Sequence, residues 1–222
     1  MPAETALFWD LDGTLLTTAR AGIFALEAAV LEMAGAEVDL EALVTAGLTD
    51  AEVAAAALAV AEVDPTEELV ERFLRAYERH LPDCLPRRDG RVLPGVREAL
   101  DDLREEQSVT SYLLTGNTEA GARAKLSHYG LAGYFAGGAF CIGPGPRAEI
   151  AARARRLAAA DARLYVIGDT PSDIAAGAAI GARTIAVATG SFGAAELREH
   201  DPWLVVDRIP EPPRFRALLE VS

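Results

Sequence analysis

Short apolar runs recur along this chain, and each ends abruptly at glycine or a polar residue. The clearest runs span 6–9, 109–114, 164–167, 184–188 and 204–206, and a weaker one spans 139–142. Such runs are typical of buried β-strands. Between most of them lie amphipathic stretches, at 96–106, 119–129, 148–160 and 172–180, that begin and end as helices do. Strands that alternate with helices predict βαβ units and a parallel sheet with helices on both faces.

One segment, 19–80, breaks this alternation because it contains no convincing strand. Its pattern predicts four helices instead, at 19–34, 40–46, 50–63 and 66–80. We therefore expect the α/β fold class, with a Rossmann-like parallel sheet core and an inserted all-helical domain. The core would comprise residues 1–16 and 94–222 and the insertion residues 17–93, with linkers near 15–18 and 82–94.

The composition is that of a globular protein, with 50% hydrophobic and 25% charged residues. The net charge of −13 argues against nucleic acid or an anionic membrane surface as the main partner, because both require clustered Lys and Arg. Two cysteines, Cys84 and Cys141, are too few for a disulfide framework or a zinc cluster. No basic, apolar leader is visible, so we expect a cytoplasmic protein that does not bind membranes.

Polar side chains follow three of the predicted strands. They are Asp10 and Asp12, Thr115 and Asn117, and Asp169 and Asp173. Each one alone is an ordinary turn or helix-cap residue. In an open parallel sheet, however, ligands bind beyond the carboxyl ends of the strands, so all of these side chains would converge on one edge.

These segments resemble the motifs of the haloacid dehalogenase-like (HAD) hydrolase superfamily. Asp10-Leu11-Asp12-Gly13-Thr14-Leu15 is similar to its first motif and Leu114-Thr115-Gly116-Asn117 to its second. Gly168-Asp169-Thr170-Pro171-Ser172-Asp173 is similar to its fourth. The order and spacing also agree, and the resemblance covers nearly the whole chain, including a helical cap domain inserted between the first two motifs.

The residues themselves suit phosphate chemistry that uses a metal ion. Asp10 and Asp12 are two positions apart in an extended segment, so their side chains point to the same side. Two carboxylates would repel a phosphate unless a divalent cation reversed the local charge. Asp169 adds another carboxylate, and a donor set made only of oxygen suits Mg²⁺. Gly13 would let the backbone approach the phosphate closely.

The resemblance implies a role for each of these residues. Asp10 would be the nucleophile that forms an aspartyl-phosphate, and Asp12 the general acid and then the general base. Thr115, with Gly116 and Asn117, would bind the phosphoryl group. The metal would be bound by Asp10, Asp169 and the backbone carbonyl of Asp12, while Asp173 would orient its water ligands.

The third motif departs from the usual pattern. The family places a Lys or Arg before the helix that leads to the fourth motif, commonly as Lys-Pro. Here the stretch is Gly143-Pro144-Gly145-Pro146-Arg147, and we assign the role to Arg147. The alternative is that Arg147 is solvated and Lys125 takes its place. Lys125 lies within a predicted helix, where we expect it to face solvent.

The inserted domain would select the leaving group. Gly47-Leu48-Thr49-Asp50 is a candidate specificity loop, and Arg20 is a candidate contact for an anionic substrate. Either feature can equally be a surface turn or a surface charge. The phosphonatase branch of the family uses a cap lysine, and no lysine lies between Ala19 and Arg91. The dehalogenase branch lacks the second aspartate, which is Asp12 here.

The function expected from the resemblance is a Mg²⁺-dependent phosphatase that acts on a small phosphorylated metabolite, similar to phosphoglycolate phosphatases. The protein would act as a monomer or homodimer. Two alternatives stay open at this point. One is a phosphomutase of the β-phosphoglucomutase type, and the other is a HAD-like scaffold that binds a partner without turnover.

Overall fold

A computed structural model describes residues 4–145 and 147–221. The outermost residues of the predicted core and Pro146 of the third motif lie outside these ranges. Six parallel strands form one sheet: β1 (Thr5–Trp9), β4 (Val109–Thr118), β5 (Gly138–Cys141), β6 (Arg163–Gly168), β7 (Arg183–Val187) and β8 (Leu204–Val206). Their order across the sheet is β5-β4-β1-β6-β7-β8. The predicted parallel α/β core is confirmed.

Helices follow the strands and cover both faces of the sheet. In the core they are α4 (Val96–Arg104), α5 (Glu119–His128), α6 (Arg147–Arg155), α7 (Pro171–Ala179), α8 (Ala194–Arg198) and α9 (Pro212–Leu219). Strand β1 is buried on both faces: Leu7 and Trp9 belong to one hydrophobic cluster, whereas Phe8 belongs to another. This alternation follows from the two-residue period of a strand.

The strand order reverses at the middle of the sheet. Strand β1 pairs with β4 on one side and with β6 on the other, in register over its whole length. The later strands are therefore added on both sides of β1, and the segments that follow β1, β4 and β6 meet at one edge of the sheet. Such a topological switch point is where open α/β sheets bind ligands.

The insertion contains three helices, α1 (Gly22–Ala34), α2 (Asp50–Val60) and α3 (Glu67–Cys84). They pack against one another, with α3 in contact with both α1 and α2. The two chain crossings form a short antiparallel ribbon, β2 (Leu16–Thr17) with β3 (Arg91–Val92). This ribbon supports the division into a core and an insertion of residues 17–93, which we keep as a proposal.

The expected helix at 40–46 is wrong. Residues 35–49 form turns and irregular structure, and their backbone carbonyls are used elsewhere. Arg20 Nη2 donates to the carbonyls of Glu41 at 2.6 Å and Leu43 at 3.1 Å. Helix α3, in contrast, runs four residues beyond the predicted end and contains Pro82, which has no N–H to donate to the carbonyl of Glu78.

Both cysteines are free and buried, as their number predicted. Among the described residues, no helix combines the length and the apolar character that crossing a membrane requires.

Candidate active site

A cavity of about 420 Å³ opens beyond the carboxyl ends of β1, β4 and β6. The core lines it with Asp10, Asp12, Gly13, Thr115, Gly116, Asn117, Arg147 and Asp169. The insertion lines it with Arg20, Ile23, Leu26, Gly47, Leu48, Asp50, Val53 and Tyr77, among others. The site residues predicted from the sequence line this cavity, except for Asp173 and for Thr49 of the candidate specificity loop, which are both buried.

Asp10 follows β1 directly and is only 7% exposed. Its Oδ1 lies 3.6 Å from Arg147 Nη2, and its carboxylate faces the Thr115 hydroxyl. Burial and the negative charge of Asp173 raise the pKa of Asp10, while Arg147 and Thr115 act in the opposite direction. Asp10 is therefore a desolvated carboxylate between a cation and a hydroxyl, with access to the cavity.

Three buried carboxylates, those of Asp10, Asp169 and Asp173, offer oxygen atoms that all lie within 4.8 Å of one another. Burial and the charges of Asp10 and Asp173 raise the pKa of Asp169 well above its ordinary range. Thr14 Oγ1 donates to Asp169 Oδ1 at 3.1 Å and partly counters this. A divalent cation would relieve the repulsion, and the oxygen donors fit Mg²⁺.

Arg147 enters this cluster from the first turn of α6. Its Nη2 pairs with Asp173 Oδ1, and its Nη1 donates to Gly47 O at 3.4 Å. The other carboxylate oxygen of Asp173 caps α7 by accepting from the N–H of Thr170 at 3.0 Å and from its hydroxyl at 2.6 Å. Arg147 Nε is buried and has no acceptor within the described protein. This Nε is enclosed by protein, so a phosphate in the cavity would meet the terminal nitrogens of the guanidinium.

Lys125 corrects an expectation from the sequence, because it does not face solvent. It is 6% exposed, and its Nζ donates to Asp12 Oδ2 at 2.5 Å and to Asn117 Oδ1 at 2.6 Å. Burial would lower the pKa of Lys125, but the carboxylates of Asp12 and Asp50 outweigh it and hold that pKa above its ordinary value. The two candidates for the third motif therefore both lie in the site, Arg147 at Asp10 and Lys125 at Asp12.

Asn117 connects the two halves of the site. Its Nδ2 donates to Asp12 Oδ2 at 3.0 Å and to Thr115 Oγ1 at 2.9 Å. Since the Thr115 oxygen accepts from Asn117, its single proton is free for Asp10. A chain of hydrogen bonds thus runs from Lys125 through Asn117 to Thr115, whose hydroxyl faces Asp10.

Two glycines of the motifs are required by close packing. Gly13 has a φ of +84°, and a Cβ there would overlap the carboxylate of Asp169. Its N–H donates to Leu16 O at 2.8 Å, so the expected contact with phosphate would use other atoms of this loop. A Cβ on Gly116 would meet Leu48 O at 2.8 Å, so this glycine admits the loop of the insertion.

The loop before α2 lies directly over the strand ends. Gly47 O accepts from Ser172 Oγ at 3.0 Å, and Asp50 Oδ2 accepts from the N–H of Thr118 at 2.7 Å. Arg20 lines the cavity, but its guanidinium also lies 3.5 Å from Glu41 and binds carbonyls of the 35–49 segment. The insertion therefore covers part of the site, which limits the access of water and strengthens electrostatic interactions within it.

Sequence reasoning missed Thr14 and Tyr77 as parts of this site. It named Asp50 only as the end of the candidate specificity loop and Lys125 only as the alternative to Arg147. Lys125 did carry a signal, since it is the only lysine of the chain and lies four and three positions after Gly121 and Ala122. These two residues are buried on the same face of α5. Tyr77 carried no such signal, because its position depends on how the insertion packs on the core.

Comparisons with known proteins identify the family of the chain. The family model described as haloacid dehalogenase-like hydrolase matches residues 7–178, and a related HAD-hydrolase-like model matches residues 145–212. "Probable phosphatase IndB" of Dickeya dadantii (strain 3937) is 30% identical over 97% of this chain and 95% of its own length.

Solved structures with low sequence identity share the fold. A predicted phosphoglycolate phosphatase from Haemophilus somnus 129PT has a TM-score of 0.69 at 17% identity, covering 98% of this chain and 97% of its own. CbbY from Rhodobacter sphaeroides, solved in complex with phosphate, has a TM-score of 0.73 at 18% identity, covering 93% and 95%. Together with the match to the family model over most of the sequence, these findings show that the chain belongs to the haloacid dehalogenase-like hydrolase family.

Proposed function

We propose that the protein is a Mg²⁺-dependent phosphatase that hydrolyses a small phosphate monoester through an aspartyl-phosphate on Asp10. The observation that carries this proposal is the arrangement of Asp10, which lies between Arg147 and Thr115 and beside a carboxylate cluster that could hold a metal. The 30% identical relative named as a probable phosphatase gives independent support.

In the first step a carboxylate oxygen of Asp10 attacks phosphorus, and the bond from phosphorus to the ester oxygen breaks. Asp12 gives its proton to the departing oxygen, which leaves as an alcohol. Arg147 and the Thr115 hydroxyl hold the phosphoryl oxygens while negative charge develops on them.

In the second step Asp12, now a carboxylate, takes a proton from a water molecule that attacks the phosphorus. The bond from Asp10 to phosphorus breaks, inorganic phosphate leaves, and both carboxyl groups return to their starting states. Asp10, Asp169 and the backbone carbonyl of Asp12 would hold Mg²⁺, with Asp173 placed to orient its waters. When bound, the cation neutralises the charge shared by the carboxylates and the phosphoryl group.

The size of the cavity favours a small substrate with a compact leaving group. Its volume is near the lower end of the range for ligand pockets, and the insertion contributes Ile23, Leu26 and Val53 beside the polar core residues. The likeness to a predicted phosphoglycolate phosphatase is consistent with a small phosphorylated metabolite. Gly47–Asp50 and Arg20 are the candidates for selecting it.

The test is release of inorganic phosphate from an aryl phosphate with Mg²⁺ and with a chelator. Asp10→Asn should abolish turnover, and Asp64→Asn, which changes an exposed aspartate of the insertion, is the matched control. Equal phosphate release by wild type and Asp10→Asn protein would contradict the proposal. A sugar phosphate that is isomerised without net phosphate release would instead identify the phosphomutase alternative.

A further inference from the structure

Lys125 is buried, and the chain contains no other lysine. Burial of an ammonium group costs several kcal/mol unless charged and polar partners compensate for it. The structure supplies these partners from the core, Asp12 at 2.5 Å and Asn117 at 2.6 Å. Both partners also line the cavity, so the ammonium group lies where it can act on the site.

The contacts fix the rotation of the Asp12 carboxylate. Lys125 Nζ and Asn117 Nδ2 both donate to the same oxygen, Oδ2, at 2.5 Å and 3.0 Å. The Asp12 side chain is 40% exposed, so the carboxylate is held from one side and accessible from the cavity. Its Oδ1 is therefore the oxygen that remains to exchange a proton with a substrate or water.

Arg147 and Lys125 contact different catalytic carboxylates, Arg147 that of Asp10 and Lys125 that of Asp12. The Arg147 guanidinium lies against Asp10 and Asp173, on the side where the phosphoryl group would be transferred. Lys125 contacts Asp12 and Asn117 instead. The insertion places Asp50 and Tyr77 in the same cavity, and the negative charge of Asp50 also favours the charged form of Lys125.

We propose that Lys125 is a positioning residue that holds the Asp12 carboxylate in the orientation needed for proton transfer to the leaving group. This inference rests on the proposed phosphatase function. It assigns to Lys125 a role separate from phosphate binding by the third motif, which stays with Arg147. Lys125 would act on the leaving-group oxygen only through Asp12.

This role has a specific kinetic consequence. A leaving group that is already acidic departs without a proton, whereas phenol, with a pKa of about 10, gains from general acid catalysis. Loss of Lys125 should therefore harm phenyl phosphate much more than 4-nitrophenyl phosphate, a substrate of similar shape. A variant that merely loosened the fold would affect the two substrates equally.

The experiment measures kcat/KM of Lys125→Met with both substrates in Mg²⁺, since this ratio reports the first chemical step. We expect a loss of about 10²-fold or more with phenyl phosphate, the scale of general acid catalysis, and a loss below about tenfold with 4-nitrophenyl phosphate. Arg123→Met, which removes an exposed cation from the same helix, is the matched control and should change neither.

Two further variants make the test decisive. Lys125→Arg should recover most of the loss with phenyl phosphate, and the Lys125→Met/Asp12→Asn double variant should be no slower than Asp12→Asn alone. Equal losses with the two substrates, or additive losses in the double variant, would overturn the inference. Lys125→Gln takes the place of Lys125→Met if the latter does not fold. Absence of turnover in wild type would refute the phosphatase proposal itself.

Discussion

Removal of the Arg147 guanidinium should damage stability and catalysis through different partners. The Asp173 side chain is fully buried and the Arg147 side chain is 14% exposed, so this is a buried ion pair. In Arg147→Met, Asp173 keeps its bonds to Thr170 but loses its only cation among the described residues. Loss of one partner of a buried pair typically costs about 3–5 kcal/mol.

The same variant should lose transition-state stabilisation. Arg147 lies 3.6 Å from Asp10 and would donate to the transferring phosphoryl group. Removal of one preorganised donor to a developing anion typically lowers kcat by about 10²–10³. We therefore expect a lower free energy of unfolding, measured with urea, together with a large loss of phosphate release.

The double variant Arg147→Met/Asp173→Asn separates the two effects. The amide introduced by Asp173→Asn would retain an acceptor for the α7 cap but carry no buried charge, so much of the lost stability should return. Activity should not return, because the donor to the phosphoryl group is still missing. Arg156→Met, which changes an exposed arginine just beyond α6, is the control. This reasoning would be refuted if the free energy of unfolding of Arg147→Met lay within about 1 kcal/mol of wild type and its rate of phosphate release within about threefold.

Two more predictions follow from the surroundings of the site. Burial raises the pKa of Asp50 from 3.8 to about 6, so its contribution to stability is complete below pH 3.8 and is lost as the pH rises to about 6. Asp50→Asn should therefore gain up to about 3 kcal/mol relative to wild type between pH 4 and pH 7, measured by urea unfolding at each pH. A difference that does not change with pH would contradict this. A Cβ on Gly190 would overlap the Asp169 carboxylate, whereas a Cβ on Gly193 would meet nothing within 4 Å. Gly190→Ala should weaken Mg²⁺ binding measured by calorimetry at least tenfold, an effect of about 1.4 kcal/mol, and Gly193→Ala should leave it unchanged. Equal affinities of the two variants would show that Asp169 is not a ligand.

The sequence alone was sufficient for the core architecture. Short apolar runs and capped amphipathic stretches are local patterns, and they correctly predicted the parallel sheet and most of its helices. The strand ends also identified Asp10, Asp12, Thr115 and Asp169 as neighbours, because the ends of adjacent parallel strands must meet at one edge. These side chains line one cavity in the structure.

The insertion was less predictable because contacts distant in sequence determine its structure. Segment 40–46 has a helical pattern, yet Arg20 binds two of its carbonyls and the segment stays irregular. Helix α3 continues to Cys84 because Leu81 and Cys84 of its last turn pack into the hydrophobic cluster of the insertion, which local propensity does not reveal.

Only the tertiary structure decided how the charges of the site are paired. The sequence offered Arg147 and Lys125 as alternatives for one role, whereas the structure brings both to the cavity, each to a different aspartate. Asp12, Asn117 and Lys125 meet because α5 turns one face toward the site under α3. The energy of a buried charge depends on partners that the chain supplies from far away, and for this reason the fate of Lys125 could not be deduced from its own helix.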